Sequence, residues 1–475
     1  MKHAPLLLAC LALGACTLGP DFRRPDAQAP AAWNAKGDDV ASRPADGAVE
    51  SRWWRLFDDP QLDRLQARVA AGNLDLQAAA ARLEQSRAIR QALGADAVPQ
   101  VDGNAGYARQ RNSEVGLSDP SGEGGRHNFN QLDAGFTLSW ELDLWGRVRR
   151  ELEAADAQVR ASEESRHDVL VAVLAESARD YVQLRGEQGR EAILRGNLEI
   201  ARHSLELTRL RRAEGVATEL DVAEAKAQVA VIESQLPGSQ KRQARLLNAL
   251  AYLLGEEPGA LAGELAQARP IPRPPQAVPV GLPAELARRR PDIRQAEAVL
   301  HAATASIGVA RADFYPRISL NGDFGFQALQ LANFGDWNSR TFGIGPSLHL
   351  PIFEGGRLKG TLALREAQQQ EAAIAYRRTV LNAWREVDDA LNDYAADQRE
   401  LAALDEAVEH GRTALANARE QYKAGAVDFL NVLSAQRELL ASEERQVRSS
   451  EAVGVNLALL YKALGGGWEQ EPAGS

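Results

Sequence analysis

Two thiols and seven imidazoles have the widest chemical repertoire in this 475-residue chain, and their positions settle most of what it can do. Cys10 and Cys16 both lie within the first sixteen residues. A disulfide framework, a thiolate zinc site, an iron–sulfur cluster and a cysteine nucleophile are therefore excluded from the body of the chain. Cys16 closes the run Leu13-Gly14-Ala15-Cys16, which follows Met1-Lys2-His3 and an apolar stretch from Ala4 to Leu13. That order reads as a signal peptide over residues 1–15 ending in a lipobox. A diacylglycerol joins the Cys16 sulfur, and cleavage before Cys16 then frees its amine. An ordinary secretory leader cut after Ala15 is the alternative reading. Thr17 in place of an aspartate favours the outer membrane over retention at the inner one.

The histidines, His3, His127, His167, His203, His301, His349 and His410, show no metal-ligand spacing. There is no Gly-x-Ser-x-Gly elbow, P-loop or dinucleotide fingerprint. Carboxylates such as Glu151, Glu153, Glu163 and Glu164 sit among arginines at helical spacing and read as solvated helix faces. The expectation is no catalytic residue, no metal and no cofactor. A net charge of −10 argues against nucleic acid as a partner. Hydrophobic residues at 45% and charged residues at 25% exclude intrinsic disorder, and 6% aromatics fit a helix-rich chain.

The elements repeat. Asn73 to Ala78 faces Arg290 to Gln295 at an offset of 217, and Gly146-Arg147, Gly215 and Leu254-Gly255 recur 210 residues later as Gly356-Arg357, Gly425 and Leu464-Gly465. This is a tandem duplication. After an extended lipidated segment at 16–52, one repeat spans 53–269 and the other 284–467. A proline-rich linker at 270–283, expected to be extended and solvated, joins them, and a tail follows at 468–475.

Each repeat holds two strand-like runs and one long helical hairpin. Strands are expected at about 99–110, 131–144, 315–327 and 341–353, with hairpins at about 147–255 and 357–464. Leu132, Ala134, Phe136, Leu138, Trp140 and Leu142 alternate with polar residues over about ten positions, the length of a tilted membrane-barrel strand. A half-buried strand of a soluble sandwich has the same pattern. No later stretch approaches the roughly eighteen apolar residues of a spanning helix, so any crossing is by strands. Four strands do not close a barrel, and a membrane reading requires several copies to share one. The segments from Arg109 to Asn130 and from Ala328 to Arg340 read as outward loops.

From Arg147 to about Arg212 there is no proline, enough for a helix of about 100 Å. Tight turns with Gly215 and Gly425 reverse the two hairpins, with Thr218 or Asp428 at the next N-cap. Val222, Ala225, Val229 and Ile232, and Val432, Ala435, Leu439 and Ser442, give the return helices a coiled-coil seam. Pro237-Gly238 is expected to kink the first of them.

The chain resembles the TolC/OprM-type outer membrane factors, and within them the NodT-like efflux lipoproteins. The resemblance rests on Leu18-Gly19-Pro20-Asp21-Phe22, Trp53-Trp54-Arg55-Leu56-Phe57, Asp59-Pro60-Gln61-Leu62, Arg289-Arg290-Pro291-Asp292-Ile293 and Leu460-Tyr461-Lys462-Ala463-Leu464-Gly465-Gly466-Gly467-Trp468. It implies a mixed α/β membrane protein. Four strands per chain would build a homotrimeric twelve-stranded barrel, continued by a long α-helical coiled-coil barrel. The implied role is a passive exit duct for drugs, ions or small metabolites, set in outer membrane lipid and joined by a periplasmic adaptor, the membrane fusion protein, to an inner-membrane pump.

The resemblance places adaptor contact at the tips Gly215, Val216, Ala217, Thr218, Gly425, Ala426, Val427 and Asp428, residues that helix-turn-helix chemistry alone also accounts for. The family's acidic gate positions fall on Asn431 and Ser434, with an apolar gate position at Leu430, so the acidic ring is missing from its usual level. Asp221, Glu224 and Asp428 either restore negative charge at that entrance or serve as helix N-terminal residues. With the strands so oriented, Asp102, Asp133, Glu141, Asp143 and Asp323 face the lumen and bias it toward cations. A lipid-anchored periplasmic scaffold without a channel is the competing reading; it accounts for the lipobox and hairpins but has no use for four barrel-length strands.

Overall fold

The computed structural model describes residues 17–26, 29–34, 40–45, 50–111, 113 and 128–469. The signal peptide, Cys16, most of the segment between Arg109 and Asn130 and the end of the tail lie outside the described residues. In chain order the elements are β1 (Arg43–Ala45), α1 (Pro60–Gly72), α2 (Leu74–Gly94), β2 (Gln100–Arg111), β3 (Asn128–Leu142), α3 (Arg147–Ala213), α4 (Glu219–Leu253), α5 (Ala262–Leu265), β4 (Ala277–Pro279), α6 (Pro283–Arg289), α7 (Pro291–Ala312), β5 (Arg317–Ala328), β6 (Arg340–His349), α8 (Arg357–Lys423) and α9 (Phe429–Ala463). Both long helices have 67 residues and both return helices 35, each pair 210 residues apart.

The chain divides into two compact units. The first gathers residues up to Pro25, Arg82–Glu163 and Gln295–Tyr376. Its centre is an antiparallel sheet in the order β2-β3-β5-β6, so among the described residues β2 and β6 are unpaired edges. The strands begin and end at slightly different residues from the expected ones. β3 starts at Asn128, and β6 stops at His349 because Pro351 has no N–H to continue a ladder. The segment 17–25 is strapped onto the helices below the sheet. Leu18 N donates to the Trp145 carbonyl at 3.1 Å, and Phe22 stacks on His301 with ring centres 4.4 Å apart. The buried Arg150 donates to Leu18 O, to Asp21 Oδ1 at 2.7 Å and to Glu153 Oε2 at 2.7 Å.

The second unit comprises Asp26–Ala81, Glu164–Arg294 and the chain from Arg377. Here the linker differs from expectation. β4 pairs in parallel with β1, Val278 is fully buried, and Trp33 Nε1 donates to the Gly281 carbonyl at 3.0 Å. Apolar residues spaced between the prolines dock the linker; proline content alone marks it only as extended. α4, in which Pro237-Gly238 is expected to bring a kink, is continuous from Glu219 to Leu253. Just beyond the lost N–H, Ser239 Oγ and Arg242 Nε both donate to Glu187 and tie the following turn to α3.

Four of the five signature segments lie in this unit and serve packing. Trp53 stacks on Tyr461 at 5.4 Å and 4°. Asp59 caps α1 by accepting from Gln61 N and Leu62 N, and its other oxygen accepts from the Tyr181 hydroxyl at 2.6 Å. Arg290 donates to both Asp292 oxygens, to Glu386 at 2.7 Å and to the Ala463 carbonyl at 2.9 Å. Gly465 has φ +68°, and a Cβ there would lie 2.9 Å from Arg290 Cγ, so the glycine lets the helix end close over that arginine.

The candidate site: an open-edged sheet and two helical tips

In the first unit the pleat sorts residues by face. The register aligns Asp102, Thr137, Asp323 and Gly343 in one row, and Gly103, Phe136, Phe324 and Phe342 in the next, so successive rows alternate polar and apolar. Asp102, Asp133, Glu141 and Asp323 share the polar face; Asp143 lies beyond the end of β3, where its carboxylate accepts from Val148 N and Arg149 N at the start of α3. The apolar face is open. Ile344 is 79% exposed, Phe342 74% and Phe136 61%, which is stable only against another apolar medium. Trp145 and Tyr315 pair where the sheet joins the helices, and Trp145 Nε1 donates to the Pro316 carbonyl at 2.8 Å.

In the second unit both tips end in the same turn. Gly215 (φ +74°) donates to the Arg212 carbonyl and Val216 N to Arg211 O; Gly425 (φ +74°) donates to Tyr422 O and Ala426 N to Gln421 O. Each is a Schellman motif, with glycine in the left-handed conformation satisfying the last helical carbonyls. The N-caps differ. Thr218 Oγ1 accepts from Asp221 N, and Asp221 Oδ2 accepts from Thr218 N at 2.7 Å and from Thr218 Oγ1 at 2.8 Å, a full capping box. Asp428 occupies the second N-cap position without a side-chain cap bond. Asp221 Oδ2 thus makes the contacts of a helix N-terminal residue.

Beneath the turns, Leu205, Val222, Ala225, Leu415, Tyr422, Phe429, Val432 and Leu433 form a core, with Val427 and Ala435 packed against it. Sequence reasoning missed Arg211, whose guanidinium lies 4.3 Å from the Tyr422 ring and donates to the Tyr422 carbonyl, clasping the two tips together. The only sequence signal for it is a basic residue in a helix's last turn. Outside that core, Val216, Leu220 and Leu210 are exposed, and Leu430 is 57% exposed beside exposed Asn431 and Ser434. Leu430 and Ser434, four residues apart, share one solvent-facing helix surface.

Farther along the hairpins, Glu451 of α9 lies against Gly186 of α3, where an added Cβ would sit 2.3 Å from Glu451 Oε2. Burial pushes its carboxyl up to about 7; the Glu187 charge adds to the rise, and Arg448, Arg190 and Arg242 oppose it. An unfolded glutamate titrates near about 4.3, so from there to about pH 7 the folded chain holds a proton that the unfolded chain has lost. Stability therefore falls as pH rises through that window, by about 3–4 kcal/mol in total. Thermal unfolding at mildly acid and mildly alkaline pH is expected to show this loss, and Glu451→Gln to flatten it. An unchanged slope in that variant would assign the loss to other groups.

Comparisons with known proteins agree with this arrangement. The family model for outer membrane efflux proteins matches residues 65–256 and 282–466. Outer membrane protein OprJ of Pseudomonas aeruginosa is 35% identical over 473 residues, covering 98% of this chain and 95% of its own. The pyoverdine export outer membrane protein OpmQ of the same organism is 34% identical over 482 residues, covering 100% and 98%. The solved structure of the outer-membrane channel OprN superimposes with a TM-score of 0.88 at 39% identity, covering 95% of this chain and all of that one.

Proposed function

Because this chain belongs to the outer membrane efflux protein family, we propose that three copies of it form the passive outer-membrane exit duct of a tripartite pump. The observation that carries this reading is the four-stranded sheet with an exposed apolar face, a polar and acidic opposite face, and two unpaired edges. One sheet of four strands leaves both edges open, and exposed edges seek partners. Joining β6 of one copy to β2 of the next closes twelve strands around a polar lumen, with the apolar face in lipid.

The helical tips carry the remaining contacts. A periplasmic adaptor engages Gly215, Val216, Ala217, Thr218, Gly425, Ala426, Val427 and Asp428, with exposed Val216 and Leu220 supplying apolar area beside the turns. The adaptor couples the duct to an inner-membrane transporter, which supplies the energy and the choice of substrate. In the resting state, Leu430 with Asn431 and Ser434 narrows the entrance, and Asp221 and Asp428 contribute negative charge at its rim. Cys16 carries the lipid. In support, its neighbour Thr17 packs beside Gly146 at the foot of the sheet, where an added Cβ would meet Thr17 Cβ at 3.2 Å. An acyl chain on the preceding residue then enters the leaflet next to the barrel wall.

Cys16→Ser tests the duct against a scaffold held only by lipid. The variant is expected to stay in outer membrane fractions and to retain the mass of three chains in detergent, because strands hold it in the bilayer. Release as a soluble single chain would overturn the reading.

A further inference from the structure

The apolar face of the sheet carries no carboxylate on any of its four strands; its only strand charges are Arg109, Arg111 and Arg340. All three stand at the end farthest from the helices, since β2 leaves the helices at Gln100 and β6 returns to them at His349. They also lie on the two unpaired edge strands. Arg109 Nη1 donates to Asn130 Oδ1 at 3.0 Å, and the Tyr107 hydroxyl donates to the same oxygen at 3.2 Å. Arg340 lies 4.3 Å from the exposed Trp337 ring and donates to the Trp337 carbonyl at 2.5 Å. Among the described residues these partners are neutral, and they orient the two guanidiniums.

This inference rests on the exit-duct reading. With that face in lipid, the apolar run from Val101 to Tyr107 spans about 20 Å along the strand, and Arg109 and Arg340 emerge at the outer headgroup level among the girdle aromatics Tyr107, Trp337 and Phe342. Arginine's planar fork fits phosphate oxygens in pairs. Closing β6 of one copy against β2 of the next brings the two arginine-bearing edges to one seam, and two guanidiniums there match a headgroup with more than one phosphate. We infer that Arg109 and Arg340 form a binding site at each subunit seam for the bisphosphorylated glycolipid of the outer leaflet.

The test measures lipid retention on the purified trimer by native mass spectrometry, with bisphosphorylated lipid A, its monophosphorylated form and phosphatidylethanolamine as probes. Wild type is expected to hold the bisphosphorylated form about tenfold more tightly than phosphatidylethanolamine, and the monophosphorylated form in between. Added salt should erode that preference. Arg109→Gln combined with Arg340→Gln should lose most of it, and the paired lysine variant should recover only part, because an ammonium keeps the charge without the fork. No preference among the three lipids in wild type overturns the site without reference to any variant, as does equal retention by the glutamine variant. Trimer assembly separates the two readings. A wild-type trimer with no lipid preference defeats only the lipid site, whereas a wild type that forms no trimer defeats the duct reading and the site with it.

Discussion

Replacing Arg290 with alanine is expected to cost about 3–5 kcal/mol of stability, the range for removing one partner of a buried ion network. The side chain is only 9% exposed and ties together Asp292, Glu386 and the Ala463 carbonyl, which come from α7, α8 and α9. Without the guanidinium, two carboxylates face each other and a carbonyl at the end of α9 loses its donor. Arg290→Lys is expected to recover only part of the loss, since an ammonium does not make the bidentate contact with Asp292. Denaturant unfolding followed by circular dichroism in detergent reads the effect. A loss under about 1 kcal/mol for the alanine variant would place the network with surface ion pairs and remove it as the reason the two signature segments meet.

The second large effect is expected in single-channel recordings. Wild type in planar bilayers should show small or silent openings, and Leu430→Ala combined with Asn431→Ala should give large, stable, cation-preferring ones. The side chain of Leu430 is outside the tip core that Phe429, Val432 and Leu433 build, so its truncation leaves the fold's packing intact and removes apolar bulk only from the exposed surface. Cation preference should survive in the variant, because Asp102, Asp133 and Asp323 on the polar face of the sheet are untouched. Recordings in which wild type and variant conduct alike would move the constriction away from Leu430. Large openings that favour anions would instead remove the lumenal assignment of the strand carboxylates.

Much of this architecture is a matter of local pattern, which is why it could be read directly. Two-residue alternation from Leu132 to Leu142 specifies a strand and its faces, because a pleated backbone has no other way to separate those side chains. Proline-free runs of equal length, each closed by glycine at Gly215 or Gly425, specify the hairpins, because the left-handed turn excludes most other residues. The 210-residue offset then required both halves to fold alike. Both thiols lie in the first sixteen residues and the histidines lack metal-ligand spacing, so the chemistry legible in the sequence is the lipid attachment proposed at Cys16.

Tertiary structure decided whatever depends on partners distant in the chain. Pro237 marks a lost N–H and an expected kink, but only the fold shows what holds the next turn, where Ser239 and Arg242 donate to Glu187 of α3. The proline-rich linker looks solvated, yet Val278 is buried and β4 pairs with β1, from the far end of the sequence. Thr218 and Asp428 look interchangeable as caps, but only Thr218 has an aspartate three residues on to complete the box. Arg211 over Tyr422 and Arg290 beneath Gly465 join residues about 170 to 210 positions apart, and no periodicity or local propensity encodes such a meeting. Periodicity fixes an element and its faces, but the burial, charge pairing and open edges on which the function depends exist only once those elements are brought together.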